Sequence, residues 1–273
     1  MPLILIKGTF HVVGYSPDGD SIRFKAKNAE NWNKLEGIKS RLNEFNHLRV
    51  RIQGIDTLET HFYHYCQPSK FADYATKFML NAIGIDAIIW DSMGKIKEAN
   101  DGREGFILTN KTDKHGRPIS FVFAGEIDAE DGDEFFLNKE LLRASINYKL
   151  LEAGLAYPTF FRDIFPSIRH QLSYAVQSAR IKAVGLWNED RTNTGFLVEE
   201  LSKVVIMPKL FRRLVSYIEN NQGIMTGFKD SLCENSEPIL IFPGKKLVHL
   251  YDIITEEEDK IKLTEFPENL VFL

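Results

Sequence analysis

The chain has very little cysteine. Only Cys66 and Cys233 occur among its 273 residues. They fit neither a CxxC pair nor a zinc-ligand spacing, so two unlinked thiols are expected. Positive charge is not in excess either. The formal net charge is −4, which excludes nucleic-acid binding through a bulk positive field. Any such contact must rest on a local basic surface. No apolar run approaches the ~18 residues of a membrane span. The opening segment Met1 to Lys7 lacks a basic start, a long apolar core and a small-residue cleavage site, so no signal peptide is expected. The expectation is a protein without a membrane phase, located in the cytoplasm. P-loop, GxGxxG, HExxH and GxSxG patterns are also missing, which removes support for the enzyme classes built on them.

Hydrophobic residues make up 44% of the sequence, enough for an ordinary core. The length admits one large domain, or a mid-sized domain with a smaller companion. Residues 5–25 read as a hairpin whose turn is Pro17-Asp18-Gly19, with Asp20 just past it. Residues 26–46 read as a long loop or short helix. Leu48, Val50 and Ile52 alternate with polar neighbours and predict a strand to about Ile55. Residues 69–83 carry the three- and four-residue spacing of an amphipathic helix, closed by Gly84. Short strands are predicted at 87–90, 106–108 and 119–123, with a loop over 91–105. The acidic stretch 125–134 reads as a solvated loop. Helices are expected at 138–153, 167–183 and 196–220, the last interrupted by Pro208. Strands at 238–242 and 247–253 flank the turn Pro243-Gly244-Lys245-Lys246. Five short strands with interspersed helices suggest a small closed barrel under helical cover.

The chemistry concentrates in three places: Asp18-Gly-Asp20-Ser21, Arg51-Ile-Gln-Gly-Ile-Asp56-Thr57-Leu-Glu59 and Asp113-Lys114-His115-Gly116-Arg117. Carboxylates beside another oxygen donor suit a hard cation such as Ca²⁺ or Mg²⁺. Two arginines suit an anionic phosphorus centre, because the planar fork matches phosphate oxygens. A spare carboxylate can serve as a base if it reaches a water. Strict alternation from Arg51 puts Asp56 on the opposite strand face. An irregularity at Gly54 is therefore predicted, which would reset the phase.

These residues resemble the staphylococcal nuclease (thermonuclease) family over about residues 5–190. Asn147 through Gly154-Leu-Ala156 and Gly185-Leu-Trp187 follow in the same order. The resemblance implies an OB-fold five-stranded β-barrel with covering helices, mainly β with α, over residues 1–190. Residues 191–273 would form a C-terminal α+β extension. It implies a metal-dependent endonuclease hydrolysing phosphodiester bonds of DNA or RNA, with Ca²⁺ as cofactor and Mg²⁺ or Mn²⁺ as substitutes. Asp20, Asp56 and the Thr57 carbonyl would hold the metal, and Asp18 would contribute through water. Glu59 matches the general base, and Arg51 and Arg117 match the arginines that grip the phosphate. Lys114, His115, Tyr157 and Phe160 are candidate substrate contacts.

The sequence departs from the family at two positions. Leu58 stands where a proline usually precedes the glutamate, which predicts a more mobile Glu59 loop. His115 replaces a substrate-contacting tyrosine, which predicts altered pH dependence. Core packing is preferred over base stacking for Phe160 and Phe161. His61, His64 and Cys66 lack a fourth ligand, so zinc is not expected. Lys209, Arg212 and Arg213, set against the acidic run 256–259, read as a solvated helix face. The rival reading is a catalytically silent OB-fold module that binds nucleic acid or protein. The extension is the expected surface for a protein partner.

Overall fold

A computed structural model of the chain describes residues 2–222, 227–234, 236–257 and 260–273. Two units emerge. The first comprises Met1–Gln53 with Ala75–Leu150, and the second Gly54–Tyr74 with Leu151–Leu273.

The first unit is a closed five-stranded barrel. Its strands are β1 (Leu3–His11), β2 (Ser21–Ala26), β3 (Leu48–Ile52), β4 (Arg103–Thr112) and β5 (Pro118–Ala124). β1 pairs antiparallel with both β2 and β4, and β2 pairs with β3. β3 then runs parallel to β5, and β5 returns antiparallel to β4, which closes the ring. Alternation in β3 buries Leu48, Val50 and Ile52 and leaves Arg49 and Arg51 part-exposed. That period of two puts apolar residues in the barrel and arginines outside it. Phe10 and Phe24 meet inside at a ring separation of 4.9 Å. Closure requires a backbone crowding that only glycine admits. Gly8 sits opposite Gly105, and a Cβ on Gly8 would lie 2.0 Å from the Lys25 carbonyl oxygen.

Two short helices follow in the same unit, α2 (Lys139–Ala144) and α3 (Ile146–Glu152). The single helix predicted over 138–153 is split because the buried Ser145 adopts an extended conformation. Its hydroxyl then accepts from the Tyr148 N–H, starting the second helix. The loop predicted at 91–105 holds a short strand, Ile96–Glu98, and the beginning of β4. The helix predicted at 69–83 is α1 (Ser69–Ile83), with Ala72, Ala75, Met79, Leu80 and Ile83 buried. Cys66 and Cys233 are both exposed free thiols.

A histidine pair marks the barrel surface near β1. His47 is 8% exposed, stacks on His11 at 4.1 Å, and has its Nδ1 3.1 Å from the Tyr15 hydroxyl. Burial, with His11 and Lys25 adding to it, lowers its pKa from 6.5 to about 4. The unfolded chain therefore binds a proton below pH 6.5 that the folded chain refuses until about 4. Stability from this group is complete above pH 6.5 and declines as the pH falls through that window. NMR titration is expected to show His47 neutral at pH 5.5. A midpoint above 6 would contradict the assignment.

The second unit is α+β. Its helices are α4 (Pro166–Ile181), α5 (Pro208–Asn220) and α6 (Phe228–Glu234). A four-stranded sheet runs in the order Phe160–Phe161, Leu270–Phe272, Pro238–Ile241, Lys246–His249. A three-stranded sheet joins Phe196–Leu197, Lys260–Leu263 and Ile254–Glu257. The helix predicted from residue 196 begins only at Pro208, which occupies the first turn, where its missing N–H costs nothing. Residues 196–200 instead form a two-residue strand and a 3₁₀ turn. The strand predicted to 253 stops at His249 and passes into a 3₁₀ turn. Of the acidic run 256–259, Glu258 and Asp259 lie outside the described residues.

Candidate active site

The barrel unit supplies two arginine–carboxylate pairs and a clamped turn. β2–β3 register sets Ser21 opposite Arg51. This places the Asp18–Asp20 turn beside the end of β3, where the Ile52 N–H donates to the Asp20 carbonyl. Arg51 Nη1 lies 3.3 Å from Asp20 Oδ2. Arg49, which the sequence did not single out, donates to Ser21 Oγ at 2.7 Å and to Asp18 Oδ2 at 2.6 Å. Asp18 is therefore an ion-pair partner, and Ser21 Oγ is bonded to its other oxygen.

Arg117 is positioned by its own turn. Asp113 Oδ1 accepts from the N–H groups of His115 and Arg117, and Oδ2 accepts from Arg117 Nε at 2.7 Å. Burial alone would raise the Asp113 pKa, but the bonds from Arg117 and His115 hold it below the usual carboxylate range. Lys114 and His115 are exposed at the turn's tip.

In the second unit the chain resumes after a break. β3 ends at Ile52, Gln53 and Gly54 turn, and the extended chain restarts at Ile55–Asp56. The predicted irregularity is present: Gly54 adopts φ +78°, which disfavours any side chain. Ile55–Asp56 pairs antiparallel with Tyr157–Pro158, setting Asp56 opposite Tyr157. Leu58 is buried, and Glu59 is held through its backbone at both ends. Its N–H donates to Gln67 Oε1, and its carbonyl accepts from the Gln67 N–H. An apolar anchor and a fully buried glutamine thus flank the position where the family usually has proline.

Asp56 and Glu59 converge on one cation, Arg212 of α5. Its Nη1 and Nη2 donate to Asp56 Oδ1 at 3.1 Å and Oδ2 at 2.6 Å, and Nη1 also bonds Glu59 Oε1. The Asp56 side chain is 1% exposed and that of Arg212 27%. Burial would lower the arginine's pKa, yet the Asp56 charge, followed by Glu59, raises it above the ordinary value. The expectation of a solvated face is therefore corrected for Lys209 and Arg212, while Arg213 stays exposed. Lys209 and Arg213 both pair with Glu237, at 2.6 and 2.9 Å. Burial lowers the Lys209 pKa while Glu237 opposes the shift. A sequence signal for this existed. Arg212 lies four residues after Pro208 and three before Val215, on the flank of the buried stripe of α5.

Two candidate substrate contacts are corrected as well. Tyr157 and Phe160 are fully buried, so neither ring offers a face for a base. The Tyr157 hydroxyl donates to Asp190 at 2.6 Å, and burial, joined by the Asp190 charge, raises its pKa. Among the described residues, no three His, Cys, Asp or Glu side chains are gathered as a metal-holding set.

A family model described as staphylococcal nuclease homologue matches residues 49–189. The chain belongs to this family. No curated protein sequence matches it. Membership implies a nuclease-type domain and a nucleic-acid substrate, and no helix among the described residues is long and apolar enough to cross a membrane. The family's usual Ca²⁺ can be tested against the donors present. In kind they fit: Asp20, Asp56 and the Thr57 carbonyl are hard oxygens. The guanidinium of Arg212 stands in for such an ion, showing that Asp56 and Glu59 share a single positive centre.

Proposed function

We propose that the chain is a hydrolase of nucleic-acid phosphodiester bonds that needs a divalent cation, with Ca²⁺ the expected one. The observation that carries this reading is the convergence of Asp56 and Glu59 on one cationic group. Asp20, Asp56 and Thr57 would hold the ion, which would neutralise phosphate charge and acidify a water bound to it. Glu59 would orient or deprotonate the attacking water, provided its carboxylate reaches it. Arg51 and Arg117 would stabilise the negative charge that builds on the non-bridging oxygens.

The rival, a binding module without catalysis, is favoured by a specific observation: Arg212 already neutralises both carboxylates. Incubation of the full chain with single-stranded DNA and with RNA separates the two. Cleavage that appears with millimolar Ca²⁺ and stops with EDTA is the expected outcome. Retention of either polymer without cleavage across Ca²⁺, Mg²⁺ and Mn²⁺ would give the case to the binding module.

A further inference from the structure

We infer that Arg212 and a divalent cation compete for the same two carboxylates, so that the C-terminal part of the chain closes the site with a cation of its own. The inference rests on the reading of Asp56 and Glu59 as site carboxylates. It goes beyond that reading by assigning a role to a residue outside the matched segment 49–189.

The arrangement is a built one. Both Asp56 oxygens accept from Arg212, and one of the same nitrogens serves Glu59. A carboxylate as buried as that of Asp56 requires a positive partner, because an uncompensated charge out of water is costly. A guanidinium and a dication cannot both occupy its oxygens, since their mutual repulsion adds to the steric exclusion. The backbone beneath Arg212 is fixed at several points. Gln67, which holds Glu59, also donates to the Ile206 carbonyl at 2.8 Å, two residues before α5. Thr192 Oγ1 accepts from the Met207 N–H at 2.9 Å. Glu237 takes both Lys209 and Arg213 from the first turns of the helix. The helix thus delivers Arg212 to the carboxylates, while the side chain's partial exposure gives it a way out. Opening then needs a change of side-chain rotamer and no movement of the helix. Any ion binding Asp56 must first displace the arginine, so its apparent affinity falls by the fraction of molecules in the open form.

The test reads Ca²⁺ affinity without substrate. Isothermal titration of Ca²⁺ into the full chain and into Arg212→Gln is expected to show at least ~10-fold tighter binding in the variant. Melting temperature should rise on Ca²⁺ addition far more in the variant than in the wild type. Equal affinity in the two proteins, or no Ca²⁺ binding by either, would overturn the proposal. A variant that folds only when Ca²⁺ is present supports it, because the ion then replaces the lost arginine. Should Arg212→Gln not fold under either condition, Arg212→Lys decides. It keeps the charge and loses the two-point grip, so tighter binding than wild type is expected and unchanged binding would overturn the idea. The double variant Asp56→Asn with Arg212→Gln should lose the Ca²⁺ response. Cleavage assays keep the two readings apart. Tightened Ca²⁺ binding without cleavage in any variant would end the hydrolase reading and leave the competition standing. Equal binding with brisk wild-type cleavage would do the reverse.

Discussion

Replacing Arg117 with alanine is expected to slow nucleic-acid cleavage by about 10²–10³-fold, the usual cost of losing one fixed donor to a developing oxyanion. The fold should survive, because Arg117 sits in a surface turn whose geometry Asp113 maintains largely through backbone N–H groups. Within the pair with Asp113 the arginine uses Nε rather than its two terminal nitrogens. That is the mode suited to a side chain that must present its fork elsewhere. Arg117→Lys should fall between wild type and alanine, since a single ammonium keeps charge but loses the paired donors. Single-turnover cleavage under saturating protein, with melting curves in parallel, measures both effects. A rate for Arg117→Ala within threefold of wild type would show that this turn lies outside the chemistry.

The barrel was legible in the sequence because its signals are local. Alternation of Leu48, Val50 and Ile52 fixes β3, and helical spacing over 69–83 gives α1 its observed limits. Gly54 was legible for a chemical reason. Strict alternation from Arg51 would put Asp56 on the opposite strand face, and glycine is the residue that most readily accepts the left-handed φ that breaks it. β4 was underestimated because its first residues, Arg103-Glu104-Gly105, read as loop by composition. They belong to the strand because closure of the ring demands close backbone approach there, a requirement set by pairing with β1 that no local window contains.

The site was only half readable. The family pattern named Asp20, Arg51, Asp56, Glu59 and Arg117 as candidates, while the Asp113 bonds that hold Arg117 are seen only in the structure. Tyr157 and Phe160 were assigned by proximity in sequence to the motif, but their rings face the core of the second unit. Arg212 was read by its neighbours' charges, Lys209 and Arg213, when its own partner is 156 residues away. Separation of that order is invisible to periodicity. The burial of Asp56 could have pointed to it, since a carboxylate on a two-residue strand between Ile55 and Thr57 must find a cation somewhere.

Asn147→Ala is expected to destabilise the barrel unit by about 3 kcal/mol, because it leaves buried backbone groups without partners. The side chain is fully buried at the start of α3. Its Nδ2 donates to the Gln53 carbonyl at 2.8 Å and to the Ser120 carbonyl at 3.1 Å, while Oδ1 accepts from the Val122 N–H at 2.9 Å. One amide thus ties α3 to the chain just past β3 and to the middle of β5, where the parallel pairing of those strands ends. Asn147→Asp separates hydrogen bonding from shape. It is nearly isosteric but turns two donors into acceptors facing two carbonyl oxygens, and it buries a charge. It should therefore cost at least as much as alanine, although it leaves no cavity. Urea unfolding of the full chain and both variants measures the losses as midpoint shifts at constant slope. Wild-type stability in Asn147→Asp would mean that the amide only fills space.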